Sequence, residues 1–126
     1  PVFGAVERDR LAAVMAELEV ARYTGLRAKA AARAGRPPGP EGSGGKLRMS
    51  STLKALADLA LDVSGPVGVV GGPGEDEWQT LFLTAPSLSI RGGTDEIQRN
   101  ILGERVLGLP ADIRVDKHVP FRDLPR

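Results

Sequence analysis

Cysteine is absent from this chain of 126 residues, and histidine occurs once. The lack of cysteine excludes disulfides, iron–sulfur clusters and thiol nucleophiles. The single histidine, His118, lies in a proline-bearing tail, which argues against a histidine-based metal site or a serine–histidine pair. Aromatic residues are few, at 4%, and 17 lysines and arginines are interspersed with 16 acidic residues. The sequence therefore has neither the basic stripe nor the stacking surface of a nucleic-acid-binding protein.

Long apolar runs are lacking as well. No stretch approaches the roughly 20 apolar residues that span a bilayer, and the N-terminal sequence does not have the layout of a signal peptide. We therefore expect a cytoplasmic protein without membrane insertion. A chain of 126 residues buries one modest core, so we expect a single domain.

Apolar periodicity and helix-stopping residues predict four helices joined by loops. The first two, over about 6–34 and 46–64, repeat apolar residues at spacings of three and four. A glycine- and proline-rich loop over 35–45 separates them. Two shorter helices are predicted over about 75–85 and 94–107, followed by an extended tail over 110–126. Without a convincing strand, the sequence predicts an all-α, antiparallel four-helix bundle.

Three of these helices carry apolar residues that we expect in the core. The first has a stripe whose second half is rich in small residues: Leu11, Val14, Leu18, Ala21, Gly25, Ala28 and Ala32. The second has Met49, Leu53, Leu56, Ala60 and Val63, and Gly65-Pro66 ends it. The third has Trp78, Leu81 and Phe82. The segment 66–74, which glycines interrupt, is expected to form a turn or a ligand-facing loop.

Residues 90–102 form the stretch in which we most expect a functional site. Gly92 and Gly93 permit positive φ and close approach of the backbone to a ligand, and Thr94 can cap the helix behind them. Asp95 and Glu96 suit the positive end of that helix. The apolar residues that follow predict a helix buried on more than one side: Ile97, Ile101, Leu102 and Val106. Local physics alone favours a capped helix in a bundle.

A longer pattern in the same region is more specific. The sequence GTDEIQRNI over 93–101, followed by ERVLGLP over 104–110, resembles the C-terminal signature of the acyl-CoA dehydrogenase family. Phe3-Gly4 is similar to the element before the first helix of that family's C-terminal domain. Residues 62–68 lie where members carry a Gln-x-x-Gly-Gly-x-Gly loop. The resemblance covers 3–110 and implies the C-terminal four-helix domain, the last third of a complete member.

The resemblance also implies a reaction, the α,β-dehydrogenation of an acyl-CoA thioester. A carboxylate removes the α proton while hydride leaves the β carbon for FAD, which domains or subunits outside this chain help to bind. The implied flavin contacts are Phe3, Asp9, Asp62, Gly65, Thr94 and Glu96, and the implied substrate-side residues are Arg91, Gly92 and Gly93. The implied partners are acyl-CoA, further subunits in a homo- or hetero-oligomer such as a dimer of dimers, and electron-transfer flavoprotein as a candidate electron acceptor.

The sequence departs from the family's pattern at the catalytic base. Many members place a glutamate directly before the Gly-Thr of the signature, where this chain has Gly92. Because glycine cannot take a proton, no catalytic residue is predicted in this chain. The base is either supplied by another element, such as the helix preceding Phe3, or it is absent. If it is absent, the chain is a non-catalytic partner subunit of a heteromeric enzyme.

Three further departures bear on that alternative. Arg91 replaces an aromatic or small residue, Asp62 replaces the family's glutamine, and Pro66 replaces its second glycine. Fewer amide donors then face the cofactor, and a carboxylate near phosphates is unfavourable by charge. The local alternatives are a solvated loop arginine and an exposed helical aspartate. A third interpretation, a free-standing helical binding module, predicts a stable monomer.

Overall fold

The computed structural model describes residues 3–70, 76–111 and 119–124. Every regular element in these ranges is helical, which confirms the all-α prediction. The α-helices are α1 (Ala5–Arg33), α2 (Gly42–Ser64), α3 (Pro66–Val70), α4 (Asp76–Thr84) and α5 (Asp95–Ile101). A 3₁₀ turn follows α4 over Ala85–Ser89, a π turn extends α5 over Leu102–Val106, and another 3₁₀ turn spans Phe121–Asp123.

Helix α2 is the central element of the fold. It contacts α1, α3, α4, α5 and the 3₁₀ turn that follows α4. Arg10 near the start of α1 pairs with Asp62 near the end of α2, and Glu17 further along α1 pairs with Arg48 near the start of α2. This reversed order shows that α1 and α2 run antiparallel. The complete four-helix bundle topology stays a prediction.

Helix α2 begins earlier than the sequence predicts, at Gly42 rather than at about 46. The carbonyls of Pro40 and Glu41 accept the amides of Ser43 and Gly44, each at 3.1 Å. A Cβ added at Gly44 would lie 4.0 Å from the side chain of Leu102. We infer that this packing against the end of the α5 segment offsets the poor helix propensity of the glycines.

The expected turn or loop after α2 is wrong for its first half, because Pro66–Val70 forms α3. Gly65 reverses the chain with φ +61°, and Pro66 suits the first position of the next helix. Gly68 is buried, and an added Cβ there would lie 2.7 Å from Ser64 Cβ. The missing side chain therefore lets α3 pack tightly on α2. The second half, 71–74, lies outside the described residues.

The apolar stripe of α1 is buried only in its first half. Val14 is 6% exposed, whereas Leu18 is 47% exposed, and Ala21 and Ala28 are also exposed. A groove of about 700 Å³ separates this second half from the start of α2. The segment that borders the groove is mostly proline and glycine, so it supplies few side chains to cover α1.

Two other core predictions are wrong for particular side chains. Met49 is 60% exposed, Trp78 42% and Phe82 41%. Neighbours contact α2 on several sides, so its buried residues do not form one stripe; they are Ser50, Thr52, Ala57 and Leu59. Phe82 lines an open cavity between α2, α3 and α4, which leaves part of its ring uncovered.

The α5 segment also differs from its prediction. After Ile101 it widens into the π turn, in which the Leu107 amide donates to the Leu102 carbonyl at 3.0 Å. Ile97 is 50% exposed and Val106 45% exposed, so this chain alone does not bury the helix on more than one side. Gly108 then ends the segment with φ +69°.

In the described part of the tail, 110–111 and 119–124, one short 3₁₀ turn is the only regular element. The Asp123 amide donates to the Pro120 carbonyl at 2.9 Å, which closes the 3₁₀ turn over Phe121–Asp123. Pro120 has the fixed φ that such a turn accepts. His118 lies outside the described residues. Among the helices that are described, none has the length and hydropathy needed to cross a membrane.

Candidate functional site

The turn before α5 has an unusual backbone. Gly92 and Gly93 both adopt positive φ, +66° and +88°, a region that side chains with a Cβ disfavour. The amide of Arg91 donates to the Ser87 carbonyl at 2.9 Å, and the Arg91 side chain is exposed. The two glycines thus turn the chain sharply between the 3₁₀ turn and α5.

Thr94 caps α5, which confirms the predicted cap. Its hydroxyl accepts the amide of Ile97 at 3.3 Å. The pKa of Glu96 is lowered, first by a hydrogen bond from its own backbone amide and second by a hydrogen bond from Thr94. The Glu96 side chain is 76% exposed. The start of α5 therefore presents a hydroxyl and an ionised carboxylate beside the glycines.

Gln98 fixes the conformation of the turn, and the sequence analysis did not single it out. Its side chain is buried, and its Nε2 donates to the Gly92 carbonyl at 2.9 Å. A Cβ added at Gly93 would lie 2.7 Å from this Nε2. Only a residue without a Cβ lets the amide reach across the turn. No helical or strand periodicity relates residues six apart across a turn, so the sequence carries no signal for this contact.

A lysine on α2 pairs with the first residue of α5. Lys46 Nζ lies 2.7 Å from Asp95 Oδ1, and these side chains are 22% and 13% exposed. The pKa of Asp95 is lowered, first by its hydrogen bond with Lys46 and then by one from Ser89. Sequence reasoning missed this pair, because the two residues are far apart along the chain.

Two more polar residues of α2 contact the segment before the turn. Lys54 Nζ lies 2.7 Å from Ser89 Oγ and 4.0 Å from Asp95 Oδ2. The hydroxyl of Ser50 lies 3.1 Å from the Leu88 carbonyl. Ser50 is 2% exposed, and a buried hydroxyl without a partner would be costly. The contacts of α2 therefore lie on both sides of the glycine turn.

Asp62 and Gly65 line a second candidate site, a cavity of about 780 Å³ between α2, α3 and α4. Arg10, Asp58, Gln79 and Phe82 are among its other lining residues. The Arg10 guanidinium is 2.5 Å from the Asp62 carboxylate, and Gln79 donates to the Gly68 carbonyl at 2.9 Å. The lining of this cavity thus combines apolar residues such as Phe82 with the Arg10–Asp62 ion pair.

The structure does not bring all the predicted site residues together. The glycine turn is held near Lys46 and Lys54, whereas Asp62 lies eight to sixteen residues further along α2, about 12 to 24 Å at 1.5 Å per residue. Phe3 and Asp9 lie at the start of α1, where the Phe3 carbonyl accepts Arg8 Nη1 at 3.3 Å. Any single ligand that reaches all of them must be extended.

The glycine turn leaves more of its backbone open than the second cavity does. An added Cβ at Gly92 meets nothing within 4 Å, so the backbone there is open to a ligand. In the cavity, the Gly65 amide donates to Leu61 and Asp62 carbonyls, and the Gly68 amide donates to the Gly65 carbonyl at 3.0 Å. Pro66 has no amide proton. These residues therefore offer no free amide donors to a phosphate.

The described residues hold no group of three side chains suited to a metal ion. Histidine and cysteine, the usual ligands of zinc, contribute nothing to this part of the molecule, since cysteine is absent and His118 is not described.

Comparison with known proteins matches most of the chain to one family. Residues 4–107 match the sequence model of the acyl-CoA dehydrogenase C-terminal domain. A relative in Mycolicibacterium smegmatis, acyl-CoA dehydrogenase IpdE1, is 46% identical over 70 residues, which are 55% of this chain and 18% of the relative. Acyl-CoA dehydrogenase IpdE1 of Mycobacterium tuberculosis is 40% identical over 99 residues, 73% of this chain and 26% of the relative.

A more distant relative covers more of the chain. Acyl-CoA dehydrogenase FadE34 of Mycobacterium tuberculosis is 32% identical over 104 residues, which are 82% of this chain and 14% of that relative. No solved structure matches. The chain spans between 14% and 26% of the length of these curated relatives.

Proposed function

Because this chain belongs to the acyl-CoA dehydrogenase family, we propose that it is the C-terminal domain of an FAD-dependent enzyme that dehydrogenates an acyl-CoA thioester. The domain contributes cofactor contacts and part of a subunit interface, and the complete protein acts in the cytoplasm. Acyl-CoA is the substrate of the complete enzyme. Electron-transfer flavoprotein is the proposed electron acceptor.

The glycine turn carries this proposal. Gly92 leaves its backbone open, while Thr94 and Glu96 present a hydroxyl and a carboxylate beside it. These residues belong to the signature over 93–101. A turn fixed by Gln98 holds such groups in one geometry, which is what a cofactor or thioester site requires.

The chemistry divides between the cofactor and the protein. FAD, when bound, accepts the hydride that leaves the β carbon of the acyl chain. Thr94 and Glu96 bind and orient FAD on one side of the turn. The substrate side of the turn is formed by Arg91, Gly92 and Gly93. A proton on carbon is removed only by a base held close to it in the right direction. Gly92 supplies no base, so we assign that role to a carboxylate preceding Phe3.

The subunit interface has support from exposed apolar side chains. Leu18, Leu26, Ile97 and Leu107 are between 47% and 69% exposed. Exposed apolar surface of this kind marks contact regions in soluble proteins. We propose that neighbouring domains and subunits of a homo- or hetero-oligomer, a dimer of dimers, cover these residues.

A second function is a non-catalytic partner subunit of a heteromeric acyl-CoA dehydrogenase. Two observations favour it: Gly92 has no proton-accepting group, and the amides of Gly65 and Gly68 are already bonded within the chain. The Arg10–Asp62 pair also places a carboxylate where the family has a glutamine. In this case the domain supports assembly while another subunit performs the reaction.

Expression of the complete reading frame with its candidate partner tests the first proposal. We expect bound FAD, seen by its visible absorbance, and acyl-CoA-dependent reduction of a dye. Thr94→Ala should weaken FAD binding about tenfold, the value of a hydrogen bond of about 1.4 kcal/mol. Thr94→Ser, which keeps the hydroxyl, should bind FAD like the unaltered protein. Thr24→Ala, on the exposed face of α1, is the matched control.

The outcome separates the two functions. If no assembled complex binds FAD or oxidises acyl-CoA, the dehydrogenase proposal is wrong. If the complex is active but the Thr94→Ala and Thr24→Ala variants bind FAD equally well, the partner-subunit function is supported. An aspartate or glutamate in the helix preceding Phe3, whose replacement by the amide abolishes turnover, supports catalysis by this subunit.

A further inference from the structure

Three polar residues of α2 recur at intervals of four: Lys46, Ser50 and Lys54. Residues four apart lie on the same side of a helix. A polar row of this kind usually faces solvent, but here Ser50 is 2% exposed and the Lys46 side chain 22% exposed. The row therefore faces the rest of the protein. The Ser50 hydroxyl also has a partner within α2, the Lys46 carbonyl at 3.0 Å, whereas the ammonium groups of the two lysines pair with groups outside the helix.

Their partners lie on both flanks of the glycine turn. On the N-terminal flank, the Ser50 hydroxyl contacts the Leu88 carbonyl at 3.1 Å and Lys54 Nζ contacts Ser89 Oγ at 2.7 Å. On the C-terminal flank, Lys46 Nζ contacts Asp95 at 2.7 Å. One rigid helix thus holds the two ends of the segment 90–94.

Fixed ends restrict the backbone conformations that this segment can adopt. Gly92 and Gly93, which are both at positive φ, have access to many backbone conformations in the absence of restraint. Gln98 restrains the Gly92 carbonyl from within the turn, but it belongs to α5 and moves with it. The amides of Ile90 and Arg91 connect the start of the turn to the Ser87 carbonyl, and the contacts with α2 connect both flanks of the turn to the longest neighbouring helix.

We propose that Lys46, Ser50 and Lys54 are positioning residues, which hold both flanks of the glycine turn and so set where Arg91, Gly92 and Gly93 lie. They act through Leu88, Ser89 and Asp95 and do not touch substrate or cofactor. The consequence for the reaction rests on the function proposed above. A misplacement of about 1 Å at a reacting group lowers a rate by about a hundredfold.

The complete protein, assembled with its partner, is the material for the test. The variants are Lys46→Met, which keeps length and removes charge, Asp95→Asn, and the two combined. Lys46→Arg is the conservative variant, since a guanidinium can also pair with a carboxylate. Lys29→Met, at an exposed position of α1, is the matched control for the loss of a lysine.

Hydrogen exchange of peptides that cover 88–98 reports the turn directly and does not depend on flavin. We expect Lys46→Met and Asp95→Asn each to accelerate exchange there about tenfold, as expected for loss of a hydrogen bond to a charged group. The combined variant should exchange little faster than Asp95→Asn alone, because Asp95→Asn already removes the pairing with Lys46 as well as the weaker one with Lys54. Lys46→Arg should restore slow exchange, and Lys29→Met should not change it.

Where FAD is bound, its visible absorption band provides a second measurement. Lys46→Met should shift this band and lower kcat more than it raises KM, whereas Lys29→Met should leave both unchanged. A purely structural loss would lower the amount of folded protein without altering the spectrum of the bound flavin. If even the unaltered complex binds no flavin, the proposed function fails, and the exchange measurement still decides the positioning role.

Three results would overturn the proposal: unchanged exchange over 88–98 in Lys46→Met, additive effects in the combined variant, or equal loss in Lys46→Arg and Lys46→Met. If Lys46→Met does not fold, Lys54→Met and Ser89→Ala test the other flank with a smaller change. Each of these variants should accelerate exchange over the same peptides. If both variants exchange as slowly as the unaltered protein, the proposal is also overturned.

Discussion

Replacement of Gly93 by alanine should disturb the turn more than replacement of its neighbour Gly92. Both glycines have positive φ, +66° at Gly92 and +88° at Gly93. Their surroundings differ, because an added Cβ meets nothing within 4 Å at Gly92 but lies 2.7 Å from Gln98 Nε2 at Gly93. The pair of variants therefore separates the cost of the backbone conformation from the cost of the displaced side chain.

The expected magnitudes follow from these two costs. A left-handed backbone costs a residue with a Cβ about 1 to 2 kcal/mol, which both variants incur. Gly93→Ala also displaces the Gln98 amide from the Gly92 carbonyl and so loses a hydrogen bond of about 0.5 to 1.5 kcal/mol. We expect about 1 to 2 kcal/mol for Gly92→Ala and about 1.5 to 3.5 kcal/mol for Gly93→Ala.

Native-state hydrogen exchange over 88–98 in the complete protein measures this difference. When closing is fast, the exchange rate follows the local opening equilibrium, and about 1.4 kcal/mol corresponds to a tenfold change. Exchange should therefore be about five- to thirtyfold faster in Gly92→Ala, and between about tenfold and several hundredfold faster in Gly93→Ala. Gly35→Ala, with φ +76° and open space in the loop after α1, is the control.

A double variant tests the cause. In Gly93→Ala with Gln98→Ala, the steric conflict is gone, so the second alanine should add less to exchange than Gln98→Ala does alone. Equal effects of Gly92→Ala and Gly93→Ala, or full additivity in the double variant, would show that Gln98 does not fix the turn.

Two further outcomes concern charged pairs. Because Lys46 and Ser89 lower the pKa of Asp95 in the folded protein, the unfolded chain takes up a proton there at higher pH, and the pair stabilises the fold only while the carboxyl is ionised. The thermal midpoint of the complete protein should thus exceed that of Asp95→Asn above about pH 5, and the difference should begin to fall near pH 4 and disappear as the pH drops through the lowered pKa of Asp95; a constant difference down to pH 3 would contradict this. Arg10→Met should change the midpoint little, by the equivalent of less than about 1 kcal/mol, because its pair with Asp62 has side chains that are 39% and 61% exposed. A larger decrease in the thermal midpoint would mean that the ion pair is more shielded from solvent than these exposed fractions indicate.

Local signals explain which features could be predicted from the sequence. Gly65 ends α2 with φ +61°, and Thr94 caps α5. Both helix ends depend on residues within four positions along the chain, so the sequence predicts them directly. The flavin roles of Phe3, Asp9, Asp62, Gly65, Thr94 and Glu96 stay predictions.

Features that depend on distant contacts could not be predicted. Gly44, in the first turn of α2, packs against Leu102, and Lys46 pairs with Asp95, 49 residues away. Trp78 follows the expected helical spacing yet is 42% exposed, since periodicity shows which side of a helix is apolar but not how much of that side is covered. Gln98 stands inside the signature, and its bond to Gly92 is visible only once the turn is folded.

The π turn over Leu102–Val106 has a consequence for how sequences of this kind are aligned. Its 5-residue hydrogen bond, from the Leu107 amide to the Leu102 carbonyl, accommodates one residue more than an α-helical turn does. Because Gly108 ends the segment with φ +69°, the additional residue is accommodated within the last turn of the helix and shifts no helical face beyond it. A relative whose helix lacks the wide turn would therefore need a one-residue gap within 102–107 to keep the end of its helix aligned with Gly108.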